Sequence, residues 1–332
     1  MQPFASLTPM GQTRRLRAVA HAALQHYAIT VRRLSLLTVD TNTIFRVDAA
    51  NGERYALRIS TPGQHSLNDN LIEIAWLTAL ARDTTLKVVT PVANQQGDYL
   101  TPVTLPTVPE ERRCVLLRWI PGHSLARQVS PAHAYTLGTM MAALHDHAGT
   151  VQLPPSLSPM TWHTVFYYHH EPVVIDDPAY ATLFSPARRS LIHEVATIAE
   201  QVLQELAQST PDRILIHGDL HPSNVHVARG HFYILDFEDV LLGYPVQDVA
   251  ITFAALRRYP ECERLWRAFE AGYSQSRPWP VQSAAQLTAL IAARDLMMVN
   301  YAAQSEAAPE AAVARICSRL MAARAQLCNK EN

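Results

Sequence analysis

The chain of 332 residues has little charge: Asp, Glu, Lys and Arg make up 17% of it, and the formal net charge is −1. Without a basic excess, the sequence argues against a surface built for nucleic acid or an anionic membrane. Hydrophobic residues reach 48%, which excludes a disordered chain and is enough for sizeable cores. This length therefore predicts a globular protein of two domains or lobes.

Cysteines and long apolar segments are also scarce. The four cysteines are scattered and form no Cys-x-x-Cys pair, so we expect reduced thiols. The sequence contains no uncharged, continuously apolar window of about 18 residues, the length that predicts a membrane span. The N-terminal residues show no charged segment followed by an apolar one, so we expect no secretory signal. A cytoplasmic location is the expectation.

The first third of the chain has the pattern of an antiparallel sheet with helices. Asn51-Gly52 is a strong hairpin signal between two strand-like runs. Apolar spacing predicts helices over residues 14–28 and 71–82, and strands over 32–39, 43–47, 55–59 and 114–120. One more strand is expected near residues 87–92, continuing after residues 94–98.

The composition changes after Pro121-Gly122. Helices are predicted over residues 132–147 and 186–209 and from 246 to the end, with short strands at 214–216, 225–227 and 232–235. We therefore expect an α+β protein. Residues 1–120 would form a smaller lobe with an antiparallel sheet and one internal helix, and residues 121–332 a larger, mainly helical lobe.

The most informative segment is His217-Gly218-Asp219-Leu220-His221-Pro222-Ser223-Asn224, followed by Ile234-Leu235-Asp236-Phe237-Glu238. Asp219 and Asn224 are five apart at a junction of strand and loop, and Asp236 follows the next apolar strand. Phosphoryl transfer needs a carboxylate to accept a hydroxyl proton and oxygen ligands for magnesium. The pattern predicts Asp219 as the catalytic base and Asn224 and Asp236 as Mg²⁺ ligands.

A second candidate pair combines Arg58, on the third strand, with Glu73, on the following helix. An arginine there can contact nucleotide phosphates, and a helix carboxylate can hold it in place. The alternative is a surface arginine and a surface glutamate that never meet. Asp248 opens a helix, where it either complements the helix dipole or supports the loop that contains Asp219 from below.

Other polar residues leave alternatives open. Glu238 could help bind metal or a cationic substrate, or simply be solvated. His217 is expected to anchor the loop, and Pro222 and the strand-rich flanks disfavour a helical His217/His221 zinc site. Seven residues could line a substrate pocket, or could instead pack between the lobes or form a dimer contact: Trp162, His163, Tyr167, Tyr168, His169, His170 and Glu171.

These residues together resemble the aminoglycoside phosphotransferase and choline kinase family. The likeness is carried by His217-Gly218-Asp219 with Asn224, by Leu235-Asp236-Phe237-Glu238, and by Gly243-Tyr244-Pro245-Val246-Gln247-Asp248. It implies a two-lobed, protein-kinase-like fold that uses Mg²⁺ and ATP, with GTP as a second option. It also implies that Trp119 and Ile120 contact the nucleotide base and that Arg58 contacts phosphate. Most members have lysine where Arg58 stands.

The resulting prediction is a kinase that phosphorylates a hydroxyl of a small metabolite or antibiotic, such as an amino alcohol, homoserine, a sugar or an aminoglycoside. The absence of an Ala-Pro-Glu activation segment favours this small-molecule branch. One alternative is a protein Ser/Thr kinase of the bacterial stress-response type. Another is a non-catalytic nucleotide-binding regulator, which the complete set of Asp219, Asn224 and Asp236 disfavours. The oligomeric state stays open.

Overall fold

The structure is a computed structural model that describes residues 2–168, 171–209, 213–305 and 308–328. The chain divides into two compact units. The sheet unit comprises Met1–His123, Val151–Ser158 and His226–Glu238; the helical unit comprises Ser124–Thr150, Pro159–Val225 and Asp239–Asn332. Two later segments thus belong with the N-terminal residues, in addition to the expected lobe of residues 1–120.

Helices and strands follow the α+β order expected from the sequence. They are α1 (Pro9–Leu24), β1 (Val31–Val39), β2 (Asn42–Ala49), β3 (Arg54–Ser60), α2 (Leu67–Asp83), β4 (Thr101–Leu105), β5 (Val108–Arg118), β6 (His123–Ser124), α3 (Pro131–Ala148), α4 (Pro186–Ser209), β7 (Ile214–Ile216), β8 (Val225–Ala228), β9 (His231–Ile234), β10 (Leu241–Gly243), α5 (Pro245–Leu256), α6 (Cys262–Tyr273), α7 (Ala284–Ser305) and α8 (Pro309–Cys328).

The sheet unit is built on a five-stranded antiparallel sheet of order β1-β2-β3-β5-β4. Gly52, at φ 88°, closes the predicted turn between β2 and β3. Phe45, Leu57 and Leu116 lie opposite one another on β2, β3 and β5 and are fully buried in a core that includes α1. The outer strand β1 has two register irregularities, and the opposite outer strand β4 contains Pro102.

The first part of the strand expected near residues 87–92 is wrong, whereas its expected continuation after residue 98 is present as β4. Residues 87–92 make isolated bridges only, from Val88 to Ile234 and from Pro91 to Leu117, and the regular strand is β4. Pro91 has no backbone N–H and cannot continue a hydrogen-bonded ladder.

The helical unit has a large apolar core that includes residues of α4, α5, α7 and α8. The helices α3 and α6 approach unusually closely at two glycines. A Cβ added at Gly138 would lie 2.0 Å from the Phe269 carbonyl oxygen, and one at Gly272 would lie 2.0 Å from the Tyr135 carbonyl oxygen. Strands β7 and β10 form a two-stranded ladder that leads into the loop of residues 217–224, called here the catalytic loop.

The aromatic segment starting at residue 162 contributes to this core. Trp162 and Tyr167 are fully buried and their ring centroids are 5.1 Å apart, which is interior packing. His169 and His170 lie outside the described residues. Within the described ranges, no helix combines the length and apolar character that crossing a membrane requires.

Candidate active site

Asp219 lies in the catalytic loop, and donors surround both oxygens of its carboxylate. Oδ1 accepts a hydrogen bond from Arg294 Nη2 at 2.6 Å, and Oδ2 accepts one from Asn224 Nδ2 at 3.0 Å. His221 Nε2 lies 3.3 Å from Oδ2. Burial by itself would raise the pKa of Asp219, but Arg294 and then His221 lower it to about 2. The carboxylate is therefore ionised at neutral pH, and it suits a base that accepts a proton late in the reaction.

Two hydrogen bonds to Asp219 orient the side chain of Asn224. Its Nδ2 donates both to the Asp219 carboxylate and to the Asp219 carbonyl oxygen, each at 3.0 Å. Because the amide nitrogen is used in these bonds, the carbonyl oxygen Oδ1 remains as the ligand atom. A hard amide oxygen is the type of donor that Mg²⁺ accepts in proteins, so Asn224 fits the predicted metal role.

The tautomer of His221 follows from its neighbours. Its Nδ1 accepts a hydrogen bond from the Ser223 backbone N–H at 3.2 Å, so in the neutral ring the proton lies on Nε2. That N–H is the group that faces Asp219. Within the described residues, no three His, Cys, Asp or Glu side chains are grouped to hold a metal.

A buried carboxylate at the start of α5 holds the catalytic loop. Asp248 Oδ1 accepts from the Gly218 backbone N–H and Oδ2 from the His217 backbone N–H, both at 2.9 Å. His145 Nε2 on α3 lies 3.1 Å from Oδ2, and its Nδ1 is 2.9 Å from Tyr273 Oη. Burial would raise the pKa of Asp248, but His145 and His217 bring it below its ordinary value. Asp248 therefore fixes the backbone next to Asp219.

Gly218 is required at its position for two reasons. Its φ is 76°, in the left-handed region, and a Cβ there would lie 2.2 Å from the Asp239 carbonyl oxygen. The catalytic loop thus turns directly against the backbone that leads into β10. This explains the glycine in the His-Gly-Asp motif in terms of space and conformation.

In the sheet unit, Arg58 and Glu73 form a bidentate ion pair. Arg58 Nη1 and Nη2 donate to the two Glu73 oxygens at 2.8 and 2.5 Å, and only 5% of Arg58 is exposed. Glu238 Oε2 lies 3.4 Å from Arg58 Nη1 and also accepts from Asn42 Nδ2 at 2.6 Å. Burial would lower the pKa of Arg58, but the carboxylates of Glu238, Glu73 and Asp236 raise it above its ordinary value. Arg58 is therefore a permanent cation set among carboxylates.

Asp236 follows β9 with a left-handed backbone, at φ 62°. Aspartate tolerates this conformation better than most residues. The next residue, Phe237, is fully buried and packs edge-on against Trp76 of α2, with ring centroids 5.5 Å apart. This anchor fixes the backbone on the C-terminal side of Asp236, whose carboxylate oxygens are suitable Mg²⁺ ligands.

The predicted nucleotide-base contacts, Trp119 and Ile120, directly follow β5, and both are half-buried. The Trp119 backbone N–H donates to the Arg54 carbonyl oxygen at 3.2 Å, so the sheet already uses this donor. A nucleotide contact by Trp119 would therefore use its side chain or its carbonyl oxygen.

Sequence reasoning missed one residue that contacts Asp219: Arg294 binds its carboxylate from α7. Asn42 of β2 binds Glu238. The available signal for Arg294 was the charged pair Arg294-Asp295 inside an otherwise apolar helical run. Its partner is 75 residues away along the chain, so no local spacing identifies it.

The fold and this side-chain arrangement define a protein-kinase-like enzyme. The described residues combine an N-terminal antiparallel sheet, an internal helix that pairs with Arg58, and a mainly helical second unit that holds Asp219 and Asn224. The sequence profile of the phosphotransferase enzyme family matches residues 38–282, and the chain belongs to this family. As a member of this family it is a phosphotransferase.

Solved structures with similar folds include kinases of small molecules. An amicoumacin kinase in complex with AMP-PNP, Ca²⁺ and its ligand is similar with TM-score 0.75 and 18% identity over 92% of both chains. A microcompartment-associated aminopropanol kinase gives TM-score 0.74 and 20% identity over 92% of this chain and 95% of that one. A spectinomycin phosphotransferase with ADP and spectinomycin gives 0.65 and 14% over 93% and 98%. No curated protein sequence matches the chain.

Proposed function

We propose that the protein transfers the γ-phosphoryl group of ATP to a hydroxyl of a small metabolite or antibiotic, with Asp219 as the base. The observation that carries this proposal is the Asp219 carboxylate itself. It is ionised, it is held by Arg294 and Asn224, and it borders a cavity within the helical unit. A fixed carboxylate next to an open space is what a kinase needs to orient an acceptor hydroxyl.

The proposed reaction is a direct displacement. The acceptor oxygen forms a bond to the γ-phosphorus while the bond to the β,γ-bridging oxygen breaks, and ADP leaves. The hydroxyl proton passes to a carboxylate oxygen of Asp219. Because the pKa of Asp219 is about 2, this transfer comes late, when bond formation to phosphorus has drawn electron density from the attacking oxygen and made its proton strongly acidic.

Asn224 and Asp236 are the proposed Mg²⁺ ligands. When bound, the ion would neutralise charge on the nucleotide phosphates. The amide orientation of Asn224 supports its part, because Nδ2 is used by Asp219 and Oδ1 is left for a cation. Use of a divalent ion also agrees with the amicoumacin kinase, which was solved with AMP-PNP and Ca²⁺.

Arg58 is the proposed phosphate contact, and Glu73 and Glu238 hold it in place. Trp119 and Ile120 are proposed to contact the base of the nucleotide, which is ATP, with GTP as a second option. His217 and Asp248 act by positioning: they fix the catalytic-loop backbone and do not touch the reacting atoms.

The test is a library of small alcohols incubated with Mg²⁺ and γ-labelled ATP. We expect label in a small molecule and a loss of turnover by orders of magnitude in Asp219→Asn, with ATP affinity nearly unchanged. Label in protein bands from a cell lysate would instead indicate a protein kinase. Failure to consume ATP under every condition, with binding intact, would indicate a non-catalytic regulator.

The metal role is tested separately with Asp236→Asn, which keeps a side chain that tolerates the left-handed backbone. We expect weaker binding of Mg²⁺-AMP-PNP by calorimetry. Asp176→Asn, which changes an exposed carboxylate of the helical unit, is the control. Equal affinity in Asp236→Asn and wild type would remove Asp236 from the metal site.

A further inference from the structure

A cavity of about 800 Å³ lies within the helical unit and is bordered by Asp219 and His221 of the catalytic loop. Its other walls are residues of α5, α7 and α8 and the two residues that follow α5. Small-molecule sites typically have volumes of about 300–1,000 Å³. Because Asp219 forms part of the wall, a molecule in this cavity can present a hydroxyl to the proposed base.

The side chains that line this cavity carry more positive than negative charge. Five arginines and two aspartates line it: Arg257, Arg258, Arg294, Arg315 and Arg319 against Asp219 and Asp295. Arginine stays protonated in proteins, so these five charges are permanent at neutral pH. Although the whole chain is nearly neutral, the cavity has an excess of positive charge.

Both aspartates are already paired with arginines. Asp295 is buried and bound by two of them, Arg257 at 2.5 Å and Arg319 at 2.8 Å. Arg294 binds Asp219 at 2.6 Å. The carboxylates of the cavity therefore leave little negative charge to attract a cationic ligand.

Two arginines of the wall have no such partner. Arg258 and Arg315 are exposed, and their guanidinium groups form no hydrogen bond or ion pair with any residue in the described ranges. A guanidinium group presents parallel N–H donors that match a carboxylate or a phosphate. The cavity thus offers two unpaired anion-binding groups in a wall that also contains the proposed base.

We propose that the phosphoryl acceptor is a small alcohol that also carries an anionic group, a carboxylate or a phosphate ester, bound by Arg258 and Arg315. This inference rests on the proposed phosphotransferase function and specifies its substrate class. The same arginines disfavour polycationic acceptors such as aminoglycosides, because each guanidinium repels an ammonium group.

The first experiment compares acceptors that differ in charge but share a hydroxyl scaffold. Glycerate is compared with glycerol, ribose phosphate with ribose, and an aminopropanol represents the cations, with ADP formation from Mg²⁺-ATP as the readout. We expect the anionic member of a pair to have at least about ten-fold higher kcat/KM than its neutral partner. The glycerate and ribose phosphate arms distinguish a carboxylate from a phosphate. Equal or faster turnover of glycerol, ribose or the aminopropanol would overturn the proposal and leave the kinase function intact.

The second experiment tests the arginines directly. Arg258→Gln and Arg315→Gln should each raise KM for the anionic acceptor about ten-fold while KM for ATP stays unchanged. The control is Arg267→Gln on α6, an exposed arginine whose ion pair with Glu263 lies outside the cavity wall. Equal KM values in the two variants and the control would contradict the assignment.

A binding measurement separates this inference from the proposed function. Inorganic phosphate is titrated calorimetrically, with chloride of equal ionic strength as the control. We expect it to bind wild type and Arg267→Gln equally well. The double variant Arg258→Gln/Arg315→Gln should bind it about ten-fold more weakly. Equal phosphate binding by wild type and the double variant would overturn the anion site. Failure to bind or consume ATP, with this difference in phosphate binding preserved, would refute the proposed function alone.

Discussion

Asp248→Ala removes a buried carboxylate. This group accepts hydrogen bonds from two adjacent backbone N–H groups of the catalytic loop and also contacts the imidazole of His145. The site is fully buried, so water cannot replace the lost carboxylate. Leaving a buried N–H unpaired costs about 1–3 kcal/mol, and breaking a buried charged network costs about 3–5 kcal/mol in total. We therefore expect the free energy of unfolding to fall by about 3–5 kcal/mol.

The matched control is Asp176→Ala. Asp176 also contacts a histidine, His193, at 3.0 Å, but both side chains are more than half exposed. Exposed pairs of this kind contribute about 0–1 kcal/mol. Urea denaturation of wild type and both variants, followed by circular dichroism, measures the difference, and an equal effect of the two substitutions would refute the reasoning.

The pH dependence provides a second check of the same contact. The folded-state pKa of Asp248 lies below its ordinary value of 3.8, so its stabilisation is present above that value and is lost as the pH falls through the folded-state pKa. The stability gap between wild type and Asp248→Ala should therefore be constant from neutral pH down to mildly acidic pH and then narrow below 3.8. A gap that widens on acidification would contradict this sign.

Three further substitutions or modifications test other contacts. Arg58→Lys should raise KM for ATP about ten-fold, because an ammonium group cannot form the bidentate pair that holds Arg58; an unchanged KM would contradict this. Burial raises the pKa of the Cys114 thiol to about 12, so at pH near 8 a thiol reagent should modify exposed Cys328 and reach Cys114 only after denaturation. Gly138→Ala should destabilise the protein by about 1–3 kcal/mol in thermal unfolding, whereas Gly149→Ala, whose added Cβ has its nearest neighbour at 3.5 Å, should be nearly neutral.

Local patterns in the sequence predicted most of the fold. The Asn51-Gly52 hairpin is present, and the helices expected at residues 71–82 and 132–147 are found with slightly wider bounds, as α2 and α3. The first part of the strand expected near residues 87–92 is wrong, because its residues form isolated bridges with distant parts of the chain, and only the continuation after residue 98 is a regular strand. Apolar alternation indicates which residues are buried, but it does not identify their partners.

The contact between two residues of the candidate site was predictable, because chemistry and spacing coincide there. Asp219 and Asn224 are five residues apart, and the same short interval that revealed them also produces their hydrogen bond. Arg294 was not predictable, since it reaches Asp219 from α7 through tertiary packing. The charge of the cavity was equally hidden, because Arg258 and Arg315 lie far apart in sequence and only their side-chain directions place them in one wall.

The two outermost strands of the five-stranded sheet have a consequence for self-association. Sheet edges expose unpaired N–H and C=O groups to which another chain can add a strand. The irregular register of β1 disturbs this row of groups, and Pro102 removes a donor from β4. We therefore expect the native protein to resist edge-to-edge aggregation, and substitutions that regularise β1 to promote it.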